Sequence, residues 1–214
     1  MLSIILWSAK SVFDTTFNKI VAVVTGGPYC HAECVFTFTK QEWKDNLLSF
    51  DKSYGTISTR AKNIWARIDS YSTDIDDHAF ISLCFYTIWG SQLSVRMLTS
   101  HDDYVFNRLP NPEYTTSTTL NFDDQELRHC LAFSIQELEK AYDSYKAFTY
   151  FLPEVFINRP IQPALPSKYF CSEFICYMLK NVGYAKDIIP EKITPNHLKP
   201  ILDQIDMKLT NKRG

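Results

Sequence analysis

The sequence predicts an α+β fold in which an antiparallel β-sheet packs against helices. Two observations predict it. Runs rich in β-branched and aromatic residues, "SIILW", "HAECVFTF" and "FISLCFYTIW", fill the first part of the chain. Apolar residues at helical spacing fill the last part, in "NFDDQELRHCLAFSIQELEKAY" and "SKYFCSEFICYMLKNVGY". Strand, helix, a run of strands and then helices is the order of an α+β chain. At 214 residues, with 45% hydrophobic and 21% charged, a single domain over residues 1–214 can bury its own core.

Residues 2–7 form an apolar strand candidate. Asp14 is a fair N-cap for a helix carrying Phe17, Ile20, Val21 and Val24 on one face, and Gly26-Gly27-Pro28 supplies a left-handed cap and a stop. A strand over 31–38 follows, then a polar connection over 43–51. Residues 53–60 and 64–68 read as two further strands, and 80–89 as the most apolar strand of the chain. Residues 91–120 form a variable region with a strand candidate at 95–98, and "RLPNPEYTTSTT" reads as an irregular loop. Asp123 or Asp124 caps a helix with Leu127, Leu131, Ile135 and Leu138 on one side. After a proline-containing loop over 153–166, a short helix runs from Cys171 to Val182 and stops at Gly183. In the last helix Thr194 caps and Pro195 takes the first turn.

Charge excludes several function classes. The formal net charge is −2, pI about 6.2, and the only basic cluster is the terminal "KLTNKRG", so no nucleic-acid partner is expected. The apolar run at residues 2–7 is too short for a signal peptide or a membrane span, and no other window approaches the roughly eighteen apolar residues of a transmembrane helix. A cytoplasmic or particle-associated protein is the expectation. The six cysteines lie in apolar segments, where most serve as reduced core residues.

One cysteine differs in its placement. Cys171 begins a helix, where unpaired amide donors and the positive end of the dipole stabilise a thiolate. Cys176, further along, gains no such help. A nucleophilic thiolate needs a base and an orienting group. His31 and Glu33, two apart on a strand, share one face, while Cys30, Ala32 and Cys34 share the other. Same-face neighbours on a strand are roughly 7 Å apart, so spacing alone does not place His31 and Glu33 in contact. The competing reading is zinc held by Cys30, His31 and Cys34, with Cys171 and Cys176 as the second group, a spacing common zinc sites do not use. His78 and His101 lie beside acidic residues in expected turns, and His129 and His197 lie on expected helices.

"PYCHAECVF" and "KYFCSEFICYMLKNVG" resemble the His-bearing strand and the Cys-bearing helix of the circularly permuted branch of the NlpC-like papain-fold cysteine hydrolases. In that branch the His strand precedes the Cys helix, as it does here. "SIILWSA", "SYG", "AYDSYKAF" and "ITPNHL" fall where that family places similar segments. The resemblance implies a circularly permuted papain-like fold with a partly barrel-like antiparallel sheet. It also implies that Cys171 is the nucleophile, His31 the base and Glu33 the orienting residue, with a site near Thr56 or Ser58 on the following strand as the alternative for the third role. No metal or organic cofactor is implied. The substrate would be a peptide, isopeptide or acyl ester, attacked through a thioester intermediate. The wording of the motifs is most similar to members from large DNA viruses, which implies host cytoplasm or the virion. A structural or interaction protein of a virus particle, with an idle site on the same fold, is the second expectation.

Overall fold

The computed structural model describes residues 1–9, 19, 21–23, 25–50, 54–72, 76–87, 91–98, 115–143 and 168–213. Strands β1 (Leu2–Ser8), β2 (Tyr29–Thr39), β3 (Phe80–Tyr86), β4 (Ser94–Leu98) and β5 (Thr115–Leu120) form one antiparallel sheet in the order β4-β3-β2-β1-β5. The fold is α+β, as predicted. The sheet is open, with β4 and β5 at its edges, so the barrel-like closure is absent among the described strands.

Alternation along β2 sorts the two faces. Ala32, Cys34, Phe36 and Phe38 join Leu2, Ile4 and Leu6 of β1 in the main core, beneath the helices. On the other face Val35 packs with Ile5, Trp7, Cys84 and Leu98 in a smaller cluster. The helices covering the first face are α1 (Lys40–Leu48), α2 (Thr56–Tyr71), α3 (Asp124–Glu137), α4 (Cys171–Asn181) and α5 (Pro195–Arg213). They contribute Trp43, Ile68, Leu131, Phe174, Met178 and Leu202, among others.

Three segments differ from the sequence expectation. The polar connection over 43–51 is largely helix α1, started by a reciprocal cap in which the Glu42 N–H donates to Thr39 Oγ1 (3.1 Å) and the Thr39 N–H to Glu42 Oε2 (2.7 Å). Its indole Trp43 Nε1–H donates to Ile81 O at 2.8 Å, which ties the helix to β3. From Thr56 onward a single helix, α2, replaces the two strands expected over 53–60 and 64–68, and its Ile57, Ala61, Ile64 and Ile68 recur every third or fourth position. Its β-branched residues favour strand locally, and packing of this stripe against the core overrides them. Finally "TTSTTL", expected as loop, is edge strand β5, paired with β1 from Leu2↔Leu120 to Trp7↔Thr115. Threonines suit a half-exposed strand.

Outside the described residues lie His101, the whole stretch between β4 and β5, the loop over 153–166, and most of the helix expected from Asp14. Its end is described and matches. The Gly27 N–H donates to Ala22 O (3.0 Å) and the Gly26 N–H to Val23 O (3.1 Å), and Gly26 is left-handed at φ +76. This double bond is a Schellman cap, which requires a residue tolerant of positive φ.

Asn196, in the first turn of α5, clamps the chain between this cap and β2. Its Oδ1 accepts the Tyr29 N–H (2.9 Å), and its Nδ2 donates to Tyr29 O (2.9 Å) and Thr25 Oγ1 (2.6 Å). A Cβ on Gly27 would run into the Asn196 carboxamide. Gly27→Ala is therefore expected to lower stability by about 1–3 kcal/mol, the usual cost of forcing an extra methyl into a packed site, read as a lower urea midpoint.

Candidate active site

The strand residue Tyr169 and the cap residue Phe170 deliver the chain into α4, and Cys171 is its first residue. Phe170 has extended backbone at φ −88 and ψ 153, and its side chain has no acceptor to offer the first-turn N–H groups. One half of a capping box is present: Glu173 Oε2 accepts the Phe170 N–H at 3.1 Å. Ser172 Oγ donates to Ile193 O at 2.5 Å and fixes the first turn of α4 to the segment before α5.

A second set of bonds anchors the approach. Strand β6 (Ala141–Tyr142) runs parallel to β7 (Lys168–Tyr169). The Tyr169 hydroxyl donates to Glu137, a carboxylate only 1% exposed, and Lys140 pairs with the same group. Tyr142 packs against Phe170, with ring centroids 6.0 Å apart. Burial, and after it the charge of the Cys171 thiolate, pushes the Tyr142 phenol above its ordinary range.

His31 lies near the start of β2, next to an irregularity. Trp7 pairs with His31 but Ser8 pairs with Tyr29, so Cys30 is an inserted residue that strict alternation does not govern. Cys30 packs with Ala9, Val21 and Ala22, and not with the Ala32 and Cys34 core. Its thiol is pushed up to about 12, first by burial and then by the Cys171 thiolate. The expectation that Cys30 shares a face with Ala32 and Cys34, away from the chemistry, is corrected by this bulge.

The structure brings His31, Glu33 and Cys171 together. His31 Nε2 and Glu33 Oε1 are 3.3 Å apart, so the two same-face residues lean into direct contact, closer than an unperturbed strand places them. The Cys171 thiol is within hydrogen-bond reach of the imidazole. All three are buried, at 2% for Cys171, 6% for His31 and 3% for Glu33. Burial works against a charged imidazole, but the Cys171 thiolate and then the Glu33 carboxylate outweigh it, raising the His31 pKa to about 10. Glu33 is held below the usual carboxylate range: burial opposes this, and His31 and Arg96 overcome it.

Arg96 is the residue that sequence reasoning missed. From β4 its Nη2 donates to Glu33 Oε1 (3.2 Å) and Oε2 (3.1 Å). Cys84 Sγ donates to Glu33 Oε2 at 3.4 Å. Arg96 lies in a short, mixed segment whose sequence carries no motif, and only the strand order β4-β3-β2 brings it to Glu33. The alternative third position near Thr56 or Ser58 has no strand to occupy, because both residues belong to α2.

Comparison with known proteins finds no matching family model, no matching curated protein and no matching solved structure. The site is thus defined by its own geometry. Among the described residues no group of three or more His, Cys, Asp or Glu is arranged to hold a metal ion. Cys34 packs in the main core, and burial pushes the Cys176 thiol up to about 12. No helix among the described residues is long and apolar enough to cross a membrane.

Proposed function

We propose that the protein is a thiol hydrolase or acyltransferase acting on amide or ester carbonyls through Cys171, His31 and Glu33. The observation that carries this reading is the Cys171 thiol at the start of α4, within hydrogen-bond reach of a His31 that also contacts Glu33. A thiol so placed gives its proton to the imidazole and attacks as thiolate. The new C–S bond forms as the carbonyl electron pair moves to oxygen. That oxyanion would lie against the first-turn N–H groups of α4, where the cap residue Phe170 offers no competing side-chain acceptor. On collapse the C–N or C–O bond breaks, and His31 returns its proton to the leaving amine or alcohol. Water, or an acceptor hydroxyl or amine in the transferase case, then loses a proton to His31, attacks the thioester carbonyl and releases the Cys171 thiolate.

The resemblance of the two motifs to permuted NlpC-like hydrolases supports the same chemistry, with a peptide, isopeptide or acyl ester as substrate and host cytoplasm or virion as the place of action. A second reading is favoured by one observation, the 2% exposure of Cys171. It makes the protein a virion structural or interaction component with an idle site. Labelling with an acyl or vinyl-sulfone probe separates the two. The enzymatic reading predicts a single adduct on Cys171, lost in Cys171→Ala. Labelling that persists in Cys171→Ala, or falls on Cys176, overturns it, and wild-type labelling no faster than that of a free thiol favours the idle site.

A further inference from the structure

We infer that Arg96 is a positioning residue of this site, clamping the Glu33 carboxylate against His31; the inference rests on the catalytic reading of Cys171 and His31. The clamp is geometric. One guanidinium nitrogen, Nη2, sits 3.2 and 3.1 Å from the two oxygens of Glu33, so the carboxylate cannot rotate away without losing a charge-assisted bond. The Arg96 guanidinium carbon lies 4.6 Å from the centroid of the Tyr86 ring, a cation–π contact that helps to hold the guanidinium in place. Cys84, the direct cross-strand partner of Arg96, supplies a further donor to Glu33 Oε2.

Every described element around Glu33 agrees with this division of labour. On β1 its cross-strand partner is the apolar Ile5. On β2 its ionisable neighbours are His31 and Cys34, and on β3 Cys84; burial raises both of these thiols, which keeps them neutral. Among the described residues the cations at Glu33 are therefore His31, when protonated, and Arg96 on β4. Without Arg96 a carboxylate 3% exposed would depend on an imidazole that must itself exchange a proton at each catalytic step. Arg96 holds its place although its own buried Nε has no hydrogen-bond partner among the described residues.

The test follows the Glu33 side-chain carboxyl carbon by NMR titration, alongside the pH profile of Cys171 alkylation by iodoacetamide, in wild type, Arg96→Lys, Arg96→Gln, Glu33→Gln and the double variant. Arg96→Gln should raise the Glu33 midpoint by one pH unit or more, about tenfold in proton affinity. It should move the acid limb of alkylation the same way, and Arg96→Lys should recover most of both. In the Glu33→Gln background, Arg96→Gln should change alkylation less than twofold, because Arg96 acts through Glu33. The double variant also retains no unpaired buried charge, so it reports even where Arg96→Gln alone folds poorly. An unmoved Glu33 midpoint in Arg96→Gln, or additive effects in the double variant, overturns the role of Arg96. A wild-type Cys171 no more reactive than a free thiol instead counts against the catalytic reading, and leaves the Glu33 titration to decide the clamp.

Discussion

Replacing His31 by glutamine is expected to slow alkylation of Cys171 about tenfold to a hundredfold at pH 6 while changing it little at pH 10. An imidazolium in hydrogen-bond contact stabilises a thiolate by about 1.5–3 kcal/mol, the range for bonds to charged groups, and each 1.36 kcal/mol is one pKa unit. At pH 10 the thiol ionises without help, so the two proteins converge. Stability should carry a linked signature. The His31 pKa rises from 6.5 to about 10 on folding, so its contribution is complete below 6.5 and is lost as pH climbs through 10. Wild type should thus lose stability over that window, and His31→Gln should lack this component. Urea midpoints at intervals from pH 6 to 10 measure it, and parallel curves for the two proteins would contradict the ion pair. Glu33 works in the opposite direction: its lowered pKa gives stability that is present above the ordinary carboxylate range and is lost as pH falls through the lowered value.

Lys140→Met is expected to cost about 3 kcal/mol, more than Tyr169→Phe at about 1–2 kcal/mol. Glu137 is the last residue of α3, where the negative end of the helix dipole disfavours a carboxylate, and it is only 1% exposed. Two groups make the placement tolerable. Lys140 supplies the charge and the Tyr169 hydroxyl supplies a hydrogen bond. Removing the first leaves a buried charge with a neutral partner, whereas removing the second leaves an intact ion pair. Because Tyr169 leads directly into Phe170 and Cys171, the loosened strand β7 should also lower the reactivity of Cys171, read as a slower alkylation at pH 6. A Lys140→Met protein within about 0.5 kcal/mol of wild type, by urea denaturation, would contradict the anchoring role.

Legibility in the sequence followed the range of the forces involved. Strands β1, β2 and β3 and helices α3 and α4 were readable because their apolar periodicity is local and uninterrupted. Helix α2 was not, because Ile57, Thr59, Ile64 and Ile68 carry β-branched side chains, and the pull toward helix comes from a core that a local window cannot see. Strand β5 was hidden for a related reason: "TTSTTL" looks polar, and only pairing with β1 makes it a strand. At the site, His31, Glu33 and Cys171 were visible as chemistry placed at a strand start and a helix start. Arg96 was invisible, since its contact with Glu33 spans three strands. The bulge at Cys30 was also unreadable, because it is a property of the pairing with β1 and not of the residue itself.

The pH dependence of Cys171 alkylation in the unmodified protein, with each adduct assigned to its cysteine by mass spectrometry, is the most direct test of a thiolate–imidazolium pair. The expected result is a midpoint well below about 8.5, the value of an unperturbed thiol, with Cys171 modified at pH 6 before any of the other five cysteines. A midpoint at or above 8.5, or Cys176 reacting as fast as Cys171, would contradict it.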